Sequence, residues 1–149
     1  MKRAFTLVEV LIVVAILGIL AAIALPTFQA HSQEAKEAAA KDNLRILRNA
    51  IELYAAQHNG VPPGYPADNP DDAPPFFGAF YISMVRANYI SEIPTNPFND
   101  LTTICMIRDE ETFPEVPTGE YGWIYKPATK DFRIDWPGTD KDGVRYYDY

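Results

Sequence analysis

The pattern of apolar and polar residues separates a hydrophobic first segment from a mixed remainder. From Phe5 to Leu25 the chain is almost entirely apolar, and Glu9 is the only charged residue among these positions. As a helix with a rise of 1.5 Å per residue, the segment is about 31 Å long, which matches the hydrocarbon thickness of a bilayer. A carboxylate within such a helix costs roughly 2–3 kcal/mol in lipid. We therefore expect Glu9 to have a function beyond membrane anchoring.

A second helical pattern follows without a break. Residues 27–58 are rich in Ala, Glu, Lys, Gln and Leu, which favour helix formation. Apolar residues recur there at spacings of three and four, as on the buried face of an amphipathic helix. These residues are Leu44, Leu47, Ile51 and Tyr54. Because Asn59 and Gly60 form a typical left-handed stop, one helix of roughly 80 Å is predicted from Thr6 to His58.

The remaining residues, 59–149, have the pattern of a small α+β domain. Residues 60–75 contain too many prolines and glycines for a helix or a central strand, so they are predicted to form a surface loop. Residues 76–88 have helical potential. Three strands are then predicted at residues 102–108, 121–126 and 131–136. The expected fold class is α+β, with the long N-terminal helix packed on a three- to four-stranded antiparallel sheet.

Composition excludes several classes of function. The formal net charge is −7, and residues 59–149 carry seven Lys or Arg against fifteen Asp or Glu, a balance of −8. This acidity argues against nucleic acid as a partner, because nucleic-acid affinity depends on cations that neutralise phosphates. Cys105 is the only cysteine, which rules out an internal disulfide. The sequence has no nucleophile elbow, zinc motif or phosphate loop, so we do not expect an enzyme.

Two ordinary interpretations of the N-terminal segment are a secretory signal peptide and a plain membrane anchor. Lys2 and Arg3 suit a signal peptide, but its apolar core is usually about 7–15 residues long and carries no carboxylate. An anchor fits the length, and the two basic residues would then mark the cytoplasmic end, with everything after Leu25 outside the cytoplasm. Anchoring alone leaves Glu9 unexplained.

A third interpretation comes from the sequence FTLVEVLI at residues 5–12, which follows a short basic leader. It resembles the class III leader of type IV pilins and type II secretion pseudopilins. The resemblance implies that a prepilin peptidase cuts between Ala4 and Phe5 and methylates the new amine of Phe5. The family usually has glycine where this chain has Ala4. Glu9 corresponds to the family's acidic residue, which is implied to pair with the methylated amine of Phe5 on a neighbouring subunit.

The same resemblance implies a lollipop-shaped, pilin-like fold and an organisation in four parts. Gly18 and Pro26 lie where the family has a glycine and a proline, and in assembled filaments the helix often unwinds between them. We expect such melting only within a filament. The parts are a leader at residues 1–4, a transmembrane and assembly helix at 5–26, the amphipathic half of that helix at 27–58, and a globular head at 59–149.

Near its C-terminal end the chain contains a candidate calcium loop. Asp140 and Asp142 bracket one residue and precede Gly143, and calcium prefers such clustered oxygen ligands. Residues 93–98 also resemble the connection before the sheet of major pseudopilins, which bind calcium in their C-terminal loop. The resemblance therefore implies calcium at Asp140 and Asp142, with Asp148 as a third ligand. The alternative is a solvated acidic tail.

The sequence thus predicts a structural filament subunit, a type II secretion pseudopilin. The expected partners are further copies of this chain, a prepilin peptidase, the inner-membrane assembly platform and minor pilins or pseudopilins. Before assembly, the subunit is expected to cross the inner membrane once with its N-terminus in the cytoplasm and its head in the periplasm; the filament itself is periplasmic or extracellular. The alternatives are a surface type IV pilin for adhesion or motility, and a membrane-tethered binding or metal-sensing domain.

Overall fold

The computed structural model describes residues 6–71 and 73–149, without the side chains of residues 24–27, 29 and 30. The chain divides into two compact units, Met1–Lys36 and Glu37–Tyr149. We call them the first and the second unit. A single helix, α1 (Leu7–Gln57), contributes residues to both of them.

The C-terminal end of α1 has the geometry that the sequence predicts. Asn59 and Gly60 have positive φ angles of 54° and 86°. The Gly60 amide donates a hydrogen bond of 2.8 Å to the carbonyl of Ala55, as in a Schellman motif. The helix ends at Gln57, one residue before the predicted end at His58. The predicted stop signal is therefore confirmed.

The described part of the first unit is helical and strongly apolar. Its large apolar side chains between Leu7 and Ile23 are between 49% and 81% exposed. Among the residues that the structure describes, no helix offers an apolar stretch long enough for a membrane crossing. The predicted transmembrane helix at residues 5–26 includes Phe5, which lies outside the described residues, and three positions whose side chains are not described.

The core of the second unit forms on one face of α1. Leu44, Leu47 and Ile51 are at most 1% exposed, as their helical spacing predicts. They belong to one cluster with aromatic residues from a short helix and from the sheet. The short helix α2 (Phe77–Tyr81) continues into a π-helical turn at Ile82–Arg86, and together they match the helix predicted at residues 76–88. The main aromatic members of the cluster are Phe80, Trp123, Tyr125 and Phe132.

The sheet has three strands in the order β1, β2, β3: β1 (Ile104–Met106), β2 (Trp123–Lys126) and β3 (Asp131–Ile134). Strands β2 and β3 form an antiparallel hairpin, as predicted, but β1 pairs with β2 in parallel. The prediction of a wholly antiparallel sheet was therefore wrong for β1. The physical reason lies in the connection at residues 107–122, which is long enough for a crossover, whereas only antiparallel neighbours can share a tight turn.

Two fully buried polar residues organise the loops at one edge of the sheet. The Asp135 carboxylate accepts hydrogen bonds from the Thr118 amide at 2.7 Å, the Thr118 hydroxyl at 2.9 Å and the Tyr121 amide at 3.0 Å. The Asn96 side-chain amide donates to the Gly122 carbonyl at 2.8 Å. A buried carboxylate is costly unless it is well hydrogen-bonded, so this loop geometry depends on the three donors.

Replacing Asp135 by asparagine is expected to destabilise the second unit by roughly 2–4 kcal/mol. The asparagine amide group would face the N–H and hydroxyl donors that now bind a carboxylate oxygen. The measurement is denaturant unfolding of the full chain in detergent micelles. The matched control is Glu120→Gln, which removes an exposed acid from the same loop and should change stability by less than about 0.5 kcal/mol. Equal stability of the two variants would contradict the structural role of Asp135.

Candidate functional site

Thr6 and Glu9 bind each other at the first turn of α1. The Thr6 amide and hydroxyl donate to Oε2 of Glu9 at 2.9 and 2.8 Å, and the Glu9 amide donates to the Thr6 hydroxyl at 3.2 Å. This reciprocal arrangement is a capping box, which satisfies amide groups that the first turn leaves without helical partners. Because the N-terminal end of a helix dipole is positive, it also favours the carboxylate.

The capping box gives Glu9 a second explanation that the sequence analysis missed. The signal was present, because Thr at the cap followed three residues later by Glu is the usual capping-box spacing. Both Thr6 donors bind the same carboxylate oxygen. A carboxylate offers about four acceptor positions on its two oxygens, so capping is compatible with a further cationic partner.

The structure describes only some of the other residues that were predicted for processing and assembly. Ala4 and Phe5 are outside the described residues, so the predicted cleavage site has no structural counterpart here. Gly18 and Pro26 both lie within α1, which is helical at these positions. A Cβ atom added to Gly18 would meet no described atom within 4 Å. Packing within this chain therefore gives no steric reason for a glycine at position 18.

The predicted calcium ligand Asp140 is engaged by the protein itself. Its Oδ1 accepts hydrogen bonds from the amides of Asp142 and Val144, both at 2.9 Å, and its Oδ2 accepts one from the Tyr149 hydroxyl at 2.8 Å. The side chain is only 6% exposed. Burial alone would raise the pKa of this carboxyl, but the hydrogen bonds outweigh it and lower the pKa below its usual value.

Asp148 has a different partner from Asp140. Its two carboxylate oxygens accept hydrogen bonds from the Arg145 guanidinium at 2.7 and 2.9 Å. Among the described residues, no group of three or more His, Cys, Asp or Glu side chains is placed to hold a metal ion. Asp140, Asp142 and Asp148 therefore do not form a calcium cage in this arrangement.

Contacts to Tyr149 hold this end of the chain against α1. Arg48 of α1 donates hydrogen bonds to the carbonyl oxygens of Phe132 at 2.7 Å and Tyr149 at 2.5 Å. The Lys41 ammonium lies 4.2 Å from the centre of the Tyr149 ring. Lys41 and Arg48 were not singled out from the sequence. No local pattern could have predicted these contacts, because the partners are about a hundred residues apart.

Comparison with known proteins adds an independent line of information. Residues 1–25 match the family model described as the prokaryotic N-terminal methylation motif. The chain is 54% identical over 56 residues to the type IV major pilin protein PilA of Myxococcus xanthus, covering 38% of this chain and 26% of the pilin. It is 32% identical over 93 residues to the type IV major pilin protein PilE of Neisseria gonorrhoeae, covering 62% and 50%.

A relative from a secretion system is matched over more of its length. The type II secretion system core protein G of Escherichia coli is 23% identical over 99 residues, which cover 66% of this chain and 68% of that protein. The matches to the first three curated relatives span less than half of their length, at 26%, 38% and 41%. No solved structure matches the chain significantly. The chain therefore carries the prokaryotic N-terminal methylation motif, and its homologues are type IV pilins and type II secretion pseudopilins.

Proposed function

We propose that this protein is a type II secretion pseudopilin that polymerises through the apolar part of α1. The observation that carries the proposal is the exposure of every large apolar side chain between Leu7 and Ile23. An apolar surface of this extent needs lipid or other protein to cover it. A helix that is exposed to lipid before assembly and to other copies afterwards meets this requirement in both states.

The proposed sequence of events starts in the inner membrane. A prepilin peptidase cuts the chain between Ala4 and Phe5 and methylates the amine of Phe5. The assembly platform then extracts the subunit, whose apolar helix exchanges lipid contacts for contacts with helices of other copies. The relatives are named as pilins and as secretion core proteins, and the motif at residues 1–25 is described by methylation, which supports both the processing and the assembly in this proposal.

Within the filament, Glu9 is proposed to accept the methylated amine of Phe5 from a neighbouring subunit. The capping box supports this role, because it fixes the carboxylate at the start of the helix and occupies only Oε2 with Thr6. The pair is better suited to set the register of neighbouring helices than to add stability. Desolvation of two buried charges offsets much of their attraction.

Three observations bear on the choice between a pseudopilin and a surface pilin. The match to core protein G of E. coli covers 68% of that protein, which favours the pseudopilin. The 54% identity to PilA of M. xanthus favours the pilin, but it covers only 26% of that protein. Surface pilins also often close their last loop with a disulfide, which Cys105 alone cannot form. We therefore place the secretion function first.

Substitutions at Glu9 are expected to separate its charge from its capping function. Glu9→Gln keeps an oxygen that can complete the capping box but removes the negative charge. If the charge pairs with Phe5 of a neighbour, both Glu9→Gln and Glu9→Ala should lower the yield of sheared filaments by about tenfold or more, with leader cleavage intact. Filament yield is measured by immunoblotting, and cleavage and methylation at Phe5 by mass spectrometry.

The control for capping is the pair Thr6→Ser and Thr6→Val. Serine keeps the hydroxyl and should assemble normally, whereas valine removes the cap and is expected to cost about 1 kcal/mol of helix stability. Normal filament yield from Glu9→Gln would show that the negative charge is not needed and would overturn the pairing. A retained Met1 in the mature protein would instead favour a membrane-tethered domain that does not polymerise.

Calcium binding at Asp140, Asp142 and Asp148 remains a separate proposal, which the family resemblance supports and the present hydrogen bonds do not. Calcium at about 5 mM should then raise the unfolding temperature of the full chain in micelles. Asp142→Asn should remove the rise, and Asp109→Asn, at an acidic turn elsewhere, should retain it. No heat of binding in calorimetry and no thermal shift would overturn the proposal.

A further inference from the structure

A cavity of about 400 Å³ lies beside the C-terminal end of α1. It is bordered by three parts of the second unit: the last turns of α1, the 3-10 turn at Pro66–Asp68, and α2 with its π-helical extension. We call it the Asp68 cavity. Its volume is within the usual range for small-ligand sites. Its lining residues include Tyr54, His58, Asp68, Phe76, Ile82 and Ser83.

One side of the Asp68 cavity is apolar and open to solvent. Phe76 and Ile82 are 50% and 55% exposed, although both are large apolar side chains. Ala79, between them in the chain, is buried and also lines the cavity. A ligand with an apolar body would cover these side chains and remove them from water, which stabilises the bound state.

Asp68 places a negative charge in the same cavity. Its Oδ1 lies 2.5 Å from the Tyr54 hydroxyl, and its Oδ2 lies 2.6 Å from Nδ1 of His58. These bonds use about two of the four acceptor positions of a carboxylate. The Asp68 side chain is 32% exposed, so the remaining positions are accessible. Among the described residues lining the cavity, none is a Lys or Arg, and His58 neutralises the Asp68 charge only when its ring is protonated.

Tyr54 connects Asp68 to a further acceptor. Its hydroxyl lies 3.0 Å from Oγ of Ser83, which is itself buried and lines the cavity. Burial, followed by the hydrogen bond to Asp68, raises the pKa of Tyr54 to about 12. The hydroxyl therefore keeps its proton at neutral pH and continues to donate to Asp68. The cavity thus combines a carboxylate and a serine oxygen with an apolar wall.

We propose that the Asp68 cavity binds a small organic amine, with its ammonium group on Asp68 and Ser83 and its apolar body against Phe76 and Ile82. An ammonium group has three donors and no acceptor, which matches the oxygen atoms available here. A neutral or anionic ligand of the same shape is therefore expected to bind more weakly than the amine. All of these residues belong to the second unit.

The test is a calorimetric titration of the full chain in zwitterionic micelles at pH 8 with three probes of similar shape. The probes are 2-phenylethylamine, the neutral 2-phenylethanol and the anionic 3-phenylpropanoate. The amine should bind at least about tenfold more tightly than either analogue, as expected for a charge-assisted contact that is not fully exposed. Asp68→Asn should weaken amine binding by a similar factor. Asp71→Asn is the matched control, because it changes the net charge equally but is exposed and does not line this cavity.

A second variant keeps the proposal testable if Asp68→Asn does not fold. Ala87 is exposed at the rim of the cavity, so Ala87→Phe should block it without removing a charge. Ala56→Phe places the same side chain at an exposed position of α1 outside the lining and should bind the amine normally. Equal binding of the amine and the alcohol, equal losses in Asp68→Asn and Asp71→Asn, or undiminished binding in Ala87→Phe would each overturn the proposal.

Discussion

The contact between α1 and the sheet is the interaction on which the second unit depends. Leu44, Leu47 and Ile51 provide the apolar face of the helix, and Trp123 and Phe132 provide the opposing surface of the sheet. With Cys105 the only cysteine, the unit has no internal disulfide, so this apolar contact supplies the main stabilising term. The buried polar groups Asn96 and Asp135 then determine which loop geometry is compatible with that core.

Those parts of the fold that depend on local patterns were predictable from sequence. The helical spacing of Leu44 and Ile51, the stop at Asn59 and the β2–β3 hairpin each arise from neighbouring residues. The parallel pairing of β1 was not predictable, because strand patterning does not encode direction across a connection of more than a dozen residues. The same limit applies to the buried carboxylate of Asp135, whose donors come from a different loop.

The candidate sites also divide into those that neighbouring residues predict and those that depend on residues distant in the sequence. The methylation motif at residues 1–25 is a contiguous signal, and the family comparison confirms it. Glu9 was recognised as unusual because one charge interrupts an apolar helix, although its bond to Thr6 was overlooked. The C-terminal acids were harder to interpret. Their spacing suggests metal ligands, but whether Asp140 is free depends on Tyr149 and on amides that only the folded loop brings close.

The contact between Arg48 and Tyr149 has a consequence for the order of folding. Its partners are separated by 101 positions, and such non-local contacts form late because loop closure has to precede them. Because the chain is synthesised from its N-terminus, Arg48 is made long before Tyr149. The contact of Arg48 with Tyr149 can therefore form only after Tyr149 has been synthesised. Until then, the core that includes Leu44 and Leu47 also lacks the ring of Tyr149, which packs against it in the folded unit.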